Sequence, residues 1–336
     1  MKNRRVVLAA YLSGEPKESD FSLDEVQTPA LADGQVLVKN AFVSVDPGMR
    51  GRLSGRASYT APVPIGGVLG SASIGQVVES RHPKYAVGDW VAAAFGWQEY
   101  GLGDGAGMRK VEDLRTPPSA QIGVLGIPGL TAYFGLLDIG QPKPGETVLV
   151  STAAGAVGSA AGQIAQIKGA RAVGVAGGPQ KCRWLVEELG FAAAIDRKAE
   201  PDIAAAVAKA CPEGVDVFFD NVGNTLLDPL LPLMRQNGRI VVSGQTADYN
   251  VPLEARRGLK NTAYFITSRL KMQGLVVFDY VREFPTAWRE LTDWILAGRL
   301  LYREDIDVGL EKAPAAFVGL FHGDNFGRKL IRLSDD

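Results

Sequence analysis

The apolar positions of this chain fall into two textures. Up to about residue 115 they come as short β-rich runs, Val6-Val7-Leu8-Ala9, Val36-Leu37-Val38-Lys39, Ile74-Gly75-Gln76-Val77-Val78 and Asp89-Trp90-Val91-Ala92. Clusters of Gly, Pro, Asp and Ser separate them. Such short, regularly punctuated strands suit a partly open barrel. After Pro128 strands and helices alternate. Thr147–Ser151 predicts a buried strand, 156–168 a helix of small residues, Arg171–Ala176 a second strand and 180–189 a second helix. Val215–Asp220, Arg239–Ser243 and Leu275–Phe278 predict later strands of the same sheet. Alternation of this kind implies right-handed βαβ units and a parallel sheet with helices on both faces. A last strand-like run, Lys329–Leu333, is expected to return to the first domain.

Totals narrow the picture without changing it. At 336 residues, two domains are the natural expectation. A hydrophobic share of 46% with 22% charged residues is that of a soluble globular chain. A formal net charge of −1 gives no long-range pull toward nucleic acid or an anionic membrane, so any anion site must be local. Two cysteines, Cys182 and Cys211, cannot build a disulfide scaffold. With two histidines, His82 and His322, a His/Cys zinc site is hard to assemble, and both are expected at surface or packing positions. Lys2, Arg4 and Arg5 precede an apolar run too short for a convincing signal peptide, with Gly14-Glu15-Pro16 a poor cleavage context. The apolar stretch 124–137 contains Pro128 and falls short of a membrane span. A cytoplasmic protein is the expectation.

The sharpest local signal is Ala153-Ala154-Gly155-Ala156-Val157-Gly158, directly after a strand and opening a helix. This is the context a dinucleotide loop requires. Gly155 lets the backbone approach a pyrophosphate, Gly158 allows close helix–strand packing, and the helix N-terminus offers N–H groups to the anion. Ala153 replaces the first glycine of the common pattern. One strand later, an NAD site usually carries an acid for the ribose 2′-hydroxyl. Here the strand ends in Ala176-Gly177-Gly178, followed by Lys181, Arg183 and, after the next strand, Arg197. A missing acid beside nearby cations favours a 2′-phosphate, hence NADP. Any one of these cations, taken alone, reads as a solvated helix face.

Segments spread over nearly the whole chain carry a family resemblance. They are 44–52 (Ser-Val-Asp-Pro-Gly-Met-Arg-Gly-Arg), Gly88-Asp89-Trp90-Val91, 96–100 (Gly-Trp-Gln-Glu-Tyr), 129–136 (Gly-Leu-Thr-Ala-Tyr-Phe-Gly-Leu), the 153–158 loop, Asp220-Asn221-Val222-Gly223, Tyr249-Asn250 and Gly323-Asp324-Asn325-Phe326-Gly327. In this order they resemble the zinc-independent medium-chain dehydrogenase/reductases. Within these they are similar to the leukotriene B4 12-hydroxydehydrogenase/prostaglandin reductase and alkenal double-bond reductase group and to bacterial curcumin reductases. The resemblance implies an α/β chain. A GroES-like, partly open β-barrel catalytic domain would span 1–125 and 302–336, and a Rossmann NADP-binding domain with a doubly wound parallel sheet 126–301. It implies an active site in the cleft and a homodimer whose Rossmann sheets join.

Residue by residue, Gly155, Ala156, Val157, Gly158 and Ser159 match the pyrophosphate loop and Lys181 the 2′-phosphate lysine, with Arg197 beside it. Asn221, Ser243, Gly244, Gln245, Tyr249, Leu275, Val276, Val277 and Asn325 match positions that line NADPH. Met49, Phe95, Gly96 and Trp97 match the substrate side, to which Tyr59 and Phe278 are added as apolar walls. Three departures stand out. Arg197 replaces a frequent Tyr, Gly48 replaces another, and Ser243 stands where Cys or a small residue is common.

Hydride from a nicotinamide can attack a carbonyl carbon or the β-carbon of an enone. Carbonyl reduction in this superfamily leans on zinc as Lewis acid, and this chain is short of ligands. Conjugate addition spreads its charge over an enolate, so one or two hydrogen-bond donors suffice. The expected reaction is therefore NADPH-dependent reduction of the C=C bond of α,β-unsaturated ketones and aldehydes. Tyr249 is the candidate donor and Tyr59, in the Ser58-Tyr59 loop, the second. Tyr249 packing over the cofactor without donating is the competing reading. Trp97 and Phe278 are equally readable as ordinary core, and Asp46 as a cap or hydrogen-bond anchor. A quinone oxidoreductase on the same fold and a non-catalytic NADPH-binding sensor stand as alternatives.

Overall fold

A computed structural model describes residues 1–56 and 60–333. The described chain divides into two compact units, Val124–Arg303 and, formed from both ends, Met1–Gly123 with Glu304–Asp336.

In the first of these, β1 (Thr147–Ser151) is buried at all five positions, as an apolar strand covered on both faces must be. It leads into α1 (Ala156–Ile167), β2 (Arg171–Ala176), α2 (Pro179–Glu187), β3 (Ala193–Asp196), α3 (Ile203–Ala210), β4 (Val215–Asp220), β5 (Met234–Val242) and β6 (Lys271–Gly274). The sheet order is β3-β2-β1-β4-β5-β6, parallel throughout. Strand order therefore reverses between β1 and β4, and ligands of such sheets bind beyond the carboxyl ends of the strands at that reversal. Helix α1 can lie close to the sheet because Gly162 faces Phe191; a Cβ there would sit 2.0 Å from the ring.

The last strand of this sheet differs from the expected Leu275–Phe278. Lys271–Gly274 makes the ladder instead, Arg239 pairing Lys271 and Val242 pairing Gly274. Leu275 N–H still donates to Val242 O at 3.1 Å, after which the chain turns into a 3-10 helix, Val277–Tyr280. Being the sheet edge, β6 is exposed at all four positions and carries polar residues. Its hydropathy resembles a loop, while the apolar run that follows it resembles a strand.

The other unit is built on antiparallel strands. Lys2–Leu8 pairs with Phe21–Gln27. A second sheet runs in the order Glu304–Val308, Arg328–Arg332, Val36–Ser44, Ser73–Ser80, Trp90–Ala93, Arg109–Lys110, with Tyr100–Gly103 also on Val36–Ser44. The C-terminal strand thus joins the N-terminal fold, Leu330 opposite Ser44. Its core gathers Leu8, Val43, Leu53, Leu69, Trp97 and Phe317. No helix among the described residues is long and apolar enough to cross a membrane.

Candidate active site

The end of β1 sets up the loop. Thr152 takes the left-handed turn (φ 51°), and Gly155 N–H bonds back to Thr152 O at 2.9 Å. Gly155 is the N-cap, extended and without a side chain over the helix mouth. The first main-chain bond of α1 is Ser159 N–H to Gly155 O at 3.0 Å. The N–H groups ahead of it belong to Ala156, Val157 and Gly158, which an α-helix leaves without internal acceptors. With the positive end of the helix dipole behind them, they form an anion site. A Cβ on Gly158 would lie 2.4 Å from Thr152 O and 2.8 Å from Ala153 Cα, so the turn closes only over glycine. The alanine at 153 is also explained. The residue with positive φ is Thr152, and Gly174 of β2 leaves the room that the Ala153 methyl occupies, 2.8 Å from where a Cβ would stand.

At the strand reversal, β1 and β4 end in a bonded pair. Ser151 Oγ donates to Asp220 Oδ1 (3.1 Å) and accepts from Asn221 N–H (2.7 Å), while Asn221 Nδ2 donates to Ser151 O (2.7 Å). Asp220 is fully buried and also accepts from the N–H groups of Val222 and Gly223. Burial pushes its carboxyl up to about 6 against these donors, and buried Asp248 adds to the rise. The loop after β5 is stitched to the same place. Ser243 and Gly244 N–H donate to Asp220 O, Thr246 N–H and Oγ1 to Asn221 O, and Ala247 N–H to Val222 O. Tyr249 is half-buried at the end of that loop, its hydroxyl 3.6 Å from the position of a Cβ on Gly244, while Gln245 is exposed. Asn221, Ser243, Gly244 and Tyr249 therefore come together. Ser151 and Asp220 were given no role by sequence reasoning, although both are terminal residues of adjacent strands.

The ends of β2 and β3 form a second cluster. Gly178 N–H and Lys198 N–H both donate to Asp196 Oδ1, at 2.7 and 3.0 Å, so the nearby acid is engaged by main chain. A Cβ on Gly177 would meet Lys198 Cε at 3.3 Å and Arg197 Nε at 3.6 Å. Lys181 is half-buried in the first turn of α2 and Arg197 is exposed. Lys198 is the cation sequence reading missed. Its place directly after Arg197 at a strand end was the available signal.

Further along the sheet edge, Leu275 is half-buried, Val276 exposed, Val277 buried and Phe278 57% exposed. Phe278 is therefore not core.

In the other unit, Met49 is buried with the core and Phe95 half-buried, its ring lying where Gly101 has no side chain. Gly96 (φ 80°) sits so close to Leu69 O that a Cβ would approach to 2.3 Å. Trp97 corrects one expectation. It is fully buried, its Nε1 donates to Ser44 O at 2.8 Å, and its ring packs on Phe21 and Phe317. A side chain without accessible surface presents no wall to a substrate. Asn325 is half-buried with Nδ2 on Gly327 O. Tyr59 lies outside the described residues.

Two family models match this chain, one described as the N-terminal domain of oxidoreductase over residues 4–111, the other as zinc-binding dehydrogenase over 156–295. Among relatives, the NADPH-dependent curcumin reductase of Escherichia coli is 44% identical, covering 100% of this chain and 98% of its own. The NADP(+)-dependent 2-alkenal reductase of Nicotiana tabacum is 39% identical, with 99% and 98% covered. The crystal structure of CurA in complex with NADPH from Vibrio vulnificus superposes with a TM-score of 0.93 at 40% identity, covering 99% of this chain and 100% of that one. The chain belongs to the medium-chain dehydrogenase/reductase family. Its place there is in the prostaglandin reductase and alkenal double-bond reductase group. Quinone oxidoreductase structures at 20–22% identity share the fold alone. Against this group's pattern, Arg197 keeps company with Lys198, and Gly48 has open space where a Cβ would point.

Proposed function

We propose that this reductase saturates the C=C bond of α,β-unsaturated ketones and aldehydes with NADPH and without zinc. The observation that carries the cofactor reading is a phosphate-binding helix start next to a strand end bearing cations and no free acid. The residues fit the group. The N–H groups of Ala156, Val157 and Gly158 receive the pyrophosphate, and Lys181, Arg197 and Lys198 face the 2′-phosphate, where charge-assisted bonds discriminate it from a hydroxyl. Asn221 and the Ser243–Tyr249 loop, held by Asp220, form the floor at the strand reversal. NADPH, when bound, supplies hydride to the β-carbon. Tyr249 donates a hydrogen bond to the substrate carbonyl oxygen as charge develops there, and the enolate then takes a proton at its α-carbon, from the Tyr249 hydroxyl or from water, to leave the saturated carbonyl. Relatives named for curcumin, 2-alkenal and pulegone reduction support the substrate class. The zinc-free part is supported by the donor set, since no group of three His, Cys, Asp or Glu side chains converges among the described residues.

The test is NADPH oxidation by metal-free enzyme, followed by absorbance, with 2-alkenals, aryl enones and simple quinones offered in turn. Saturated carbonyl products with NADPH preferred over NADH are expected; turnover of quinones alone sinks the proposal. A homodimer through paired β6 edges is part of the same reading. It is supported by the exposed strand Lys271–Gly274 and by exposed Met272 and Ile266 nearby. A Met272→Asp variant is expected to sediment as monomer, and an unchanged dimer would place the interface elsewhere.

A further inference from the structure

The segment 44–52 carries a charged group that the reaction above does not use. Its chemistry lies in Asp46. Ser44 ends the Val36–Ser44 strand, and Arg328 begins the strand Arg328–Arg332 that pairs with it. Where the two chains leave the sheet they are cross-tied. Arg328 Nη1 bonds Asp46 Oδ1, Nη2 approaches Oδ2 at 3.3 Å, and Ser44 Oγ donates to Oδ2 at 2.5 Å. Trp97 Nε1 holds Ser44 O from behind, and Val45 N–H bonds Lys329 O at 3.2 Å. Arg328 is 6% exposed at its side chain. A second carboxylate, Glu304, faces the guanidinium from the neighbouring strand and is itself fixed by Ser119 Oγ at 2.7 Å.

This tie lies between two segments of the proposed site. Three residues beyond Asp46, Met49 N–H bonds Asp46 O and opens the Pro47–Leu53 turn. Three residues before Arg328 stands Asn325, its amide on Gly327 O. Met49 is on the expected substrate side and Asn325 on the expected cofactor side. A bidentate guanidinium–carboxylate pair constrains direction as well as distance.

We propose that the Asp46–Arg328 pair, backed by Ser44 and Trp97, is a positioning device that sets Met49 against Asn325, and so sets substrate against cofactor. The proposal rests on the reductase reading for the roles of Met49 and Asn325. Neither charged group touches the reacting atoms; both act through their neighbours.

The test uses the full-length enzyme with whichever acceptor, enone or quinone, the wild type reduces. Asp46→Asn is isosteric and leaves Glu304 beside Arg328, so the buried guanidinium keeps a carboxylate. Expected is a kcat lowered roughly 10- to 100-fold, the loss that misplacement by about 1 Å produces, with NADPH Kd changed less than about twofold. The deuterium isotope effect with 4-deuterated NADPH rises as hydride transfer becomes slower than product release. Arg328→Lys keeps the charge but not the fork and is expected to fall between the two; if Asp46→Asn does not fold, this variant carries the test. Folded variants with wild-type kcat and isotope effect overturn the proposal, as does a loss that tracks only the folded fraction. A wild type inactive on enones but active on quinones refutes the reductase reading and leaves the positioning test intact.

Discussion

Three glycines of one helix separate three consequences of a single added methyl. At Gly158 a Cβ falls 2.4 Å from Thr152 O and 2.8 Å from Ala153 Cα, both main chain, roughly 1 Å inside ordinary contact. Neither atom can rotate away, so the turn itself must move. Overpacking of this kind costs about 1–3 kcal/mol. The same movement shifts the N–H groups of Ala156, Val157 and Gly158, and a weakened hydrogen bond to a charged group costs about 1.5–3 kcal/mol. Gly158→Ala is therefore expected to raise the NADPH Kd about 10- to 100-fold and to lower Tm by several degrees. At Gly155 the nearest contacts are 3.2 and 3.3 Å, both to Thr152, and φ is −85°. Gly155→Ala should hardly move Tm, since alanine at an N-cap loses about 1 kcal/mol at most relative to glycine, but should raise the NADPH Kd, because its methyl stands at the helix mouth that the pyrophosphate approaches. At Gly162 the methyl meets the Phe191 ring at 2.0 Å, a turn away from the loop. Gly162→Ala should lower Tm while leaving Kd intact well below the melt. Fluorescence titration with NADPH and thermal melts on the three variants decide the matter. Wild-type affinity in Gly158→Ala, or equal loss in Gly162→Ala, would refute the assignment of the loop.

Lys181→Ala should weaken NADPH about 10- to 100-fold and NADH hardly at all, as loss of a charge-assisted bond to phosphate requires; equal loss of both cofactors removes the 2′-phosphate role. Tyr249→Phe should lower kcat about 100- to 1,000-fold if the phenol is the sole donor to the carbonyl oxygen, with NADPH Kd unchanged; an unaltered kcat makes Tyr249 a packing residue. Asp220 predicts a pH effect. Its folded-state carboxyl titrates at about 6 against an ordinary 3.8, so the folded protein binds that proton more tightly than the unfolded chain. Stability from this group is thus gained as pH falls from about 6 toward 4 and is lost again on rising through about 6, by roughly 3 kcal/mol. Urea midpoints of wild type and Asp220→Asn across that window should diverge in slope; parallel curves would discount the buried charge.

Much of this molecule is written in local pattern. Buried parallel strands such as Thr147–Ser151 and Val215–Asp220 are continuous apolar runs bounded by turn residues, so their places could be read directly. The loop at Gly155–Gly158 is a local object as well, since strand, turn and helix start are contiguous. Absence of an acid after Ala176 is likewise visible in the chain. What the chain did not show depends on contacts between distant segments. β6 is polar because it is an edge, and edges are assigned only when the sheet assembles. Trp97 reads as a pocket aromatic until Ser44, Phe21 and Phe317 close around it. The partnership of Ser151 with Asp220 spans 69 residues and that of Asp46 with Arg328 spans 282. Sequence determined the buried elements, because hydrophobic period and turn chemistry act over a few residues. Only tertiary structure decided which buried charges face one another, because desolvation and pairing arise once the chain has brought them together.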